Sequence, residues 1–368
     1  MAEPTAPLDP RLLALRQRID AVDRDLLSLL NQRATLAQEV GEVKKEEGSM
    51  AFRPEREAQV IDGLKAANGG PLKPDSVAPI WREIMSACRA LETPTRVAFL
   101  GPAGTFSEQA ALGFFGSSIV KVDCPSIDEV FRTTTAGAAD FGVVPVENST
   151  EGVVARSLDL FLTTPLFIVG ETSLFVQHNL LRKSDALSTL SAVCAHPQAL
   201  AQCHGWLNTH LPQVERRPVA SNAEGARLAA QDPTLAAIAS TRAASEYGLH
   251  VVAPCIQDDP HNRTRFAIVA HPQRQPQPQA SGHDCTSLVV SVVNQPGAVH
   301  DMLVPLKNHG VSMSRFESRP ARSGQWEYYF YIDLQGHPEQ PAVASALREL
   351  RAVCAFFKLL GTYPIDTH

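Results

Sequence analysis

In the stretch VVPVENSTEG, residues 143–152, an apolar run suited to a buried strand ends in Glu147, Asn148, Ser149, Thr150 and Glu151. Asn, Ser and Thr are first of all turn and cap residues. A carboxylate, an amide and hydroxyls at the carboxyl end of a strand are also what a ligand site in an open α/β sheet uses. The juxtaposition recurs along the chain. Thr105 and Ser107 follow RVAFL, His196 and Gln198 follow SAVCA, Ser221 follows VERRPVA, and Ser240 follows LAAIA. Each alone reads as a helix cap. Gathered in one sheet they make a rim of donors and helix N-termini, which suits a small anion.

A second candidate lies upstream. From Leu12 to Val43 the apolar positions fall at 12, 15, 19, 22, 26, 29, 36, 40 and 43, the spacing of one amphipathic helix. Where the stripe calls for an apolar residue the chain has Arg33. A cation on a buried seam needs a carboxylate partner or an anionic ligand. Arg16 and Lys44 lie beside the same stripe.

These side chains need elements to hold them. The long helix would span roughly 50 Å, and nothing in the next 45 or so residues could cover it. Its stripe therefore predicts pairing with a second copy. Two shorter helices follow, near 54–67 with Arg56 and Glu57, and near 75–91 leading to Cys88 and Glu92 on nearly one face. Residues 95–271 alternate strands and helices, an α/β pattern that predicts mostly parallel strands. The Pro- and Gln-rich stretch 272–284 reads as a linker. Residues 285–368 read βαββαβ, a ferredoxin-like α+β sandwich, with Pro305 expected to kink or break its first helix. The expected domains are thus 1–94, 95–271 and 285–368.

Composition narrows the function classes. The 368 residues are 44% hydrophobic and 20% charged, with a net charge of −6. That is an ordinary globular balance and argues against a nucleic-acid binder. No apolar run of 18 residues occurs and the N-terminus shows no secretory pattern, so the expected place is the cytoplasm, away from membranes. Seven dispersed cysteines make no disulfide framework. Cys194, His196, Cys203 and His204 match no standard zinc spacing, so no metal is expected. No cofactor is expected either: GxGxxG is absent, and GPAGTFS lacks the Gly-Lys of a phosphate loop.

LLALRQRIDAVDRDLLSLLNQR, GPAGTFS, VVPVENSTEG, NRTRF and RFESRP occur in this order. Together they resemble the bacterial bifunctional chorismate mutase–prephenate dehydratases, over nearly the whole chain. The resemblance implies an all-α mutase domain, a two-lobed dehydratase domain like periplasmic binding proteins, and a C-terminal ACT domain that binds phenylalanine. Chorismate would be rearranged to prephenate, and prephenate dehydrated and decarboxylated to phenylpyruvate.

For the mutase, the matching positions are Arg16, Arg33, Lys44, Arg56, Glu57, Cys88 and Glu92, and Arg53 is a further substrate-binding candidate. Arg16 and Arg33 are about 25 Å apart along one helix. A small dianion cannot touch both, so a shared site would take Arg16 from a second chain, in a homodimer or larger homo-oligomer. Some family members carry an acidic residue at the place of Arg53 and many carry Gln at that of Glu92. An ionised carboxylate cannot donate to an ether oxygen, so Glu92 is expected to work protonated.

For the dehydratase, the resemblance makes Thr264 central, as a hydrogen-bond donor to the departing hydroxyl. Glu147, Asn148, Ser149, Gln198, Ser221, Ser240 and Thr105 are its rim. If 264–266 are extended, Thr264 and Phe266 face one way and Arg265 the other. Arg265 either touches substrate or supports the loop. In the last domain Gly297, Ala298 and Val299 match the effector loop, and Glu317, Ser318 and Arg319 match the ESRP motif. Two other readings compete: a dehydratase whose mutase half is inactive, and a non-enzymatic sensor of small acids or amino acids.

Overall fold

The computed structural model describes residues 9–47, 52–184, 189–273, 278–321 and 328–365. Its N-terminal region is three helices, α1 (Pro10–Glu47), α2 (Pro54–Ala67) and α3 (Pro74–Glu92). Prolines open α2 and α3, where the missing N–H would have no helical partner anyway. The 38 residues of α1 extend about 57 Å. Its stripe residues Ile19, Val22, Leu26, Leu29, Leu36 and Val40 are 50–60% exposed. Toward its C-terminal end α1 closes on α3 at Gly41. A β-carbon there would lie 2.9 Å from Cγ of Glu92, so only glycine lets the helices approach this closely.

The middle region has two lobes. The first holds β1 (Arg96–Leu100), α4 (Phe106–Phe115), β2 (Val120–Cys124), α5 (Ile127–Ala136), β3 (Phe141–Asn148), β4 (Gly152–Val153), α6 (Ala155–Thr163) and β5 (Phe167–Phe175). The chain then crosses to β6 (Asn179–Arg182), β7 (Ala192–Ala195), α7 (Pro197–Gln202), α8 (His204–His210), β8 (Glu215–Pro218), α9 (Asn222–Gln231), β9 (Leu235–Ala239), α10 (Thr241–Tyr247) and β10 (His250–Ala253). It returns as β11 (Arg263–Ala270), which inserts between β3 and β5. The sheets are mixed and not mostly parallel. β1 is parallel to β2 and β3, and β7 to β8 and β9, but β11 and β6 run antiparallel to both neighbours. The double crossing explains this, because β11 enters its sheet from the opposite end.

Apolar side chains fill both faces of each sheet. One of them comes from the helical region. Phe52, just before α2, is 3% exposed and its ring centroid lies 5.0 Å from that of Phe115 and 5.3 Å from that of Phe141.

The C-terminal region is β12 (Asp284–Ser291), α11 (Ala298–Asn308), β13 (Met313–Pro320), β14 (Tyr328–Gln335), α12 (Pro341–Val353) and β15 (Phe356–Pro364). Its sheet order β13-β14-β12-β15 is that of a ferredoxin-like fold. Helix α11 continues past Pro305 to Asn308, so the proline sits in the last turn and does not break it. β15 abuts β5 of the first lobe at Gly361 and Ile168, joining the two sheets. Gly361 has φ +156°, and a β-carbon there would fall 2.1 Å from the Ile168 carbonyl oxygen. Among the described residues no helix is long and apolar enough to cross a membrane.

Candidate active sites

Two cavities collect most of the residues singled out above. The first, about 560 Å³, lies among the three helices. α1 contributes Arg33 and Lys44. Arg53 precedes α2, which adds Arg56 and Glu57. α3 adds Cys88, Arg89 and Glu92. Its cations outnumber its carboxylates, and both carboxylates already have partners. Lys44 Nζ is 3.5 Å from Glu92 Oε2, and Arg89 pairs with Glu57. Burial pushes the Glu57 carboxyl above its usual range, against the pull of Arg89 and Arg82. Arg33, Arg53 and Arg56 make no ion pair among the described residues, so the cavity presents cationic forks to an anion.

Arg16 is exposed and lies outside this cavity. Arg89 was not legible beforehand. It reads as one more charge near a helix end, yet it is 5% exposed, donates to the Phe115 carbonyl and lies 4.6 Å over the Phe52 ring. Its partners are far away in sequence, so no local pattern marks it.

The second cavity, about 390 Å³, is the cleft between the lobes. The N-termini of α4 and α9 open onto it through their caps Thr105 and Ser221, and Ser240 caps α10 beside them. These hydroxyls are largely committed. Thr105 Oγ1 donates to Leu100 O at 2.8 Å and accepts from the Glu108 N–H. Ser240 Oγ donates to Gly104 O at 3.1 Å and accepts from the Ala243 N–H, which ties the lobes together. The fully buried Glu108 does the same by pairing with Lys121 and, across the lobes, with Arg242. Gln198 lines the cleft too.

Thr264 and Asn148 meet at the strand ends. Asn148 Nδ2 donates to Thr264 Oγ1 at 2.8 Å, and Asn148 Oδ1 accepts the backbone N–H groups of Thr150 and Glu151 at 3.0 and 3.1 Å. The amide is thus held with its NH₂ toward the threonine. Thr264 receives that hydrogen bond, so its own O–H is left to donate into the cleft.

Two rim residues, Glu147 and Ser149, and both neighbours of the threonine, Arg265 and Phe266, are not brought into the cleft. Glu147 and Arg265 face the opposite side of the sheet. The cause is a β-bulge: Thr264 pairs with Asn148 and Arg265 with Glu147, but Phe266 pairs with Pro145, leaving Val146 as the extra residue. Strict alternation from Val143 would aim Glu147 at the cleft. The bulge reverses the phase and aims Asn148 there. Phe266 shares the Thr264 face but is 1% exposed in the core beneath. The exposed Ser149 braces the loop, accepting from the Arg263 N–H at 2.9 Å and bonding Asn262.

Arg265 instead holds the C-terminal domain. Its guanidinium reaches Glu147 at 3.3 Å, Glu171 at 2.8 Å and Asp333 of β14 at 2.9 Å, while Arg315 of β13 reaches Glu147 at 3.2 Å. Burial disfavours its charge, but Glu171 and Asp333 more than restore it and raise its pKa. Arg319 on the same face of β13 extends to Asp159 of α6 at 3.5 Å. Phe316 stacks on Phe330 of the opposite, helix-covered face. By strand alternation Glu317 and Arg319 therefore face the lobe, away from Gly297, Ala298 and Val299 at the start of α11. One chain does not bring the two effector motifs together; of the second, only Ser318 lies on the helix side.

The cleft also holds residues with no earlier signal: His178, Gln202 and Asn222. His178 and Gln202 hydrogen-bond at 3.0 Å, and Asn222 accepts from the His196 N–H at 2.9 Å.

Three family models cover the chain in order: chorismate mutase type II at residues 15–93, prephenate dehydratase at 97–274 and the ACT domain at 286–352. A bifunctional chorismate mutase/prephenate dehydratase of Neisseria gonorrhoeae is 47% identical over 361 residues, covering 97% of this chain and 98% of that protein. The chain belongs to the bifunctional chorismate mutase/prephenate dehydratase family. The family member of Aquifex aeolicus is 40% identical over 357 residues, 96% of this chain and 98% of its own. A prephenate dehydratase of Arthrobacter aurescens in complex with L-Phe superposes with a TM-score of 0.68 at 34% identity, covering 74% of this chain and 90% of that one. In this bifunctional family member the helical cavity falls in the segment matched by the mutase model, and Asn148 and Thr264 in that matched by the dehydratase model.

Proposed function

We propose that the helical cavity rearranges chorismate to prephenate, and that the cleft between the lobes converts prephenate to phenylpyruvate, carbon dioxide and hydroxide. The chain is a chorismate mutase and prephenate dehydratase of phenylalanine biosynthesis, and its ACT domain fits feedback by phenylalanine. In the first cavity Arg33, Arg53 and Arg56 grip the carboxylates of the dianion in a compact conformer, which is most of what a pericyclic step needs. Lys44 and Glu92 face the breaking ether bond. Arg16 enters from the α1 of a second copy, whose apolar stripe covers the exposed one.

In the cleft, the observation that carries the reading is the fixed Asn148–Thr264 hydrogen bond. It aims the threonine O–H at the hydroxyl that leaves as the ring becomes aromatic, while the caps of α4 and α9 face the carboxylates. Phenylalanine acts through the seam of Arg265, Glu147, Asp333 and Arg315, one residue away from Thr264 and Asn148 on each strand.

The test supplies chorismate alone and follows prephenate and phenylpyruvate. Wild-type chain is expected to form both, and Thr264→Ala to stop at prephenate. Near-normal phenylpyruvate from Thr264→Ala would remove the cleft assignment.

A further inference from the structure

His178 lies on the first of the two strands of chain that cross between the lobes. Its backbone is pinned there: its N–H donates to Gln257 Oε1 at 3.0 Å and its carbonyl accepts from the Ile256 N–H at 2.8 Å. The ring lines the cleft and is 2% exposed, with its centroid 5.8 Å from that of Phe106 in an edge contact. Nε2 meets Gln202 Oε1 at 3.0 Å, an oxygen that can only accept. With its proton on Nε2 the ring makes this bond, and Nδ1 is then an acceptor. Nδ1 is buried and has no partner among the described residues. A buried polar atom without a partner is costly and calls for an explanation, and a missing ligand group is one. Burial also lowers the ring's pKa, which keeps it neutral and keeps the lone pair available.

Prephenate as a dianion has a single hydrogen-bond donor, its ring hydroxyl; its carboxylates and ketone only accept. We infer that His178 Nδ1 accepts the hydrogen of that hydroxyl while Thr264 donates to its oxygen, so that the two residues bracket the leaving group and set the direction of the breaking C–O bond. The hydroxyl departs with its own hydrogen and the bond's electron pair, and both contacts persist as it leaves. This makes His178 a substrate-contacting, specificity-determining residue. The inference rests on the cleft being the dehydratase site.

The experiment compares wild type, His178→Phe and His178→Asn in the full chain. Two substrates are used: prephenate and its epimer with the ring hydroxyl on the opposite face. His178→Phe keeps the ring packing and removes the acceptor. Its kcat/KM for prephenate is expected to fall about 10–100-fold, the size expected for one buried hydrogen bond left unmade. Its preference for prephenate over the epimer should fall with it. His178→Asn, which keeps an acceptor, should recover part of both. Chorismate rearrangement in the same samples should be unchanged. A His178→Phe rate within twofold of wild type overturns the inference, as does a loss shared equally by both epimers. Should His178→Phe also lose chorismate rearrangement, His178→Asn decides, and unaltered epimer preference there overturns it. Intact dehydration in Thr264→Ala would instead bring down the cleft reading itself.

Discussion

Replacing Arg265 with methionine separates two roles that sequence leaves equal. The guanidinium makes three ion pairs, to Glu147, Glu171 and Asp333, with 27% of the side chain exposed. Breaking a buried pair by removing one partner costs about 3–5 kcal/mol, and an exposed one about 0–1 kcal/mol. Two of the stranded carboxylates keep other partners: Glu147 has Arg315, and Asp333 has Ser287 Oγ at 2.6 Å. Among the described residues Glu171 retains only the Tyr363 hydroxyl, at 3.1 Å. The expected loss is therefore at the low end, about 3 kcal/mol. For a domain of 150–250 residues that is about 6–12 °C in melting temperature. Thermal unfolding of the full chain and steady-state dehydration are the assays. Melting should fall while kcat/KM for prephenate stays within about threefold, since Arg265 does not line the cleft. Inhibition by phenylalanine should weaken, because the clamp joining β11 to β14 is gone. A hundredfold loss of kcat/KM with melting unchanged would mean that Arg265 touches substrate and that the seam is not what it holds.

Arg16→Ala and Arg33→Ala chains, each inactive as mutases, should regain part of that activity when mixed, and confirmed mixed dimers without recovery would dismiss the shared site. Glu92→Gln puts an amide donor where an ionised carboxylate could only accept, so mutase kcat should be kept or raised, and a loss beyond about tenfold removes position 92 as donor. Burial disfavours the Glu108 charge, but hydrogen bonds from Arg242, Lys121 and the Gly104 N–H outweigh it and hold the carboxyl below its ordinary value of 4.5. A depressed folded-state pKa contributes stability above the unfolded value that fades as pH falls. Glu108→Gln should therefore melt well below wild type at pH 7, with the gap narrowing below about pH 4, and a gap independent of pH would contradict the pairing.

The sequence carried the local information well. The α1 stripe, the strand–cap junctions and the βαββαβ order are periodicities that a reader of one chain can see. Arg33, Lys44, Arg56, Glu57, Cys88 and Glu92 reach one cavity because helix period places them there, and Arg53 joins them from just before α2. Long-range facts were hidden. The bulge at Val146 is visible only in the pairing of β3 with β11, and it decides that Asn148 and not Glu147 reaches the cleft. Arg89 gains its meaning from Glu57 and Phe115, and His178 from Gln202, partners that no spacing links. The mixed sheets follow from a return crossing whose destination local pattern does not encode.

Phe52 precedes every residue of the dehydratase lobes, yet its ring is part of their core, against Phe114, Phe115 and Phe141. A truncation to an aromatic-free core costs about 3–5 kcal/mol per ring. Gene fission between the mutase and dehydratase segments would therefore leave an unfilled hole in the second half. The fusion is entrenched by packing as well as by any advantage of keeping two consecutive reactions on one chain. A stand-alone dehydratase cut from this protein would first need new side chains grown into the space that Phe52 vacates.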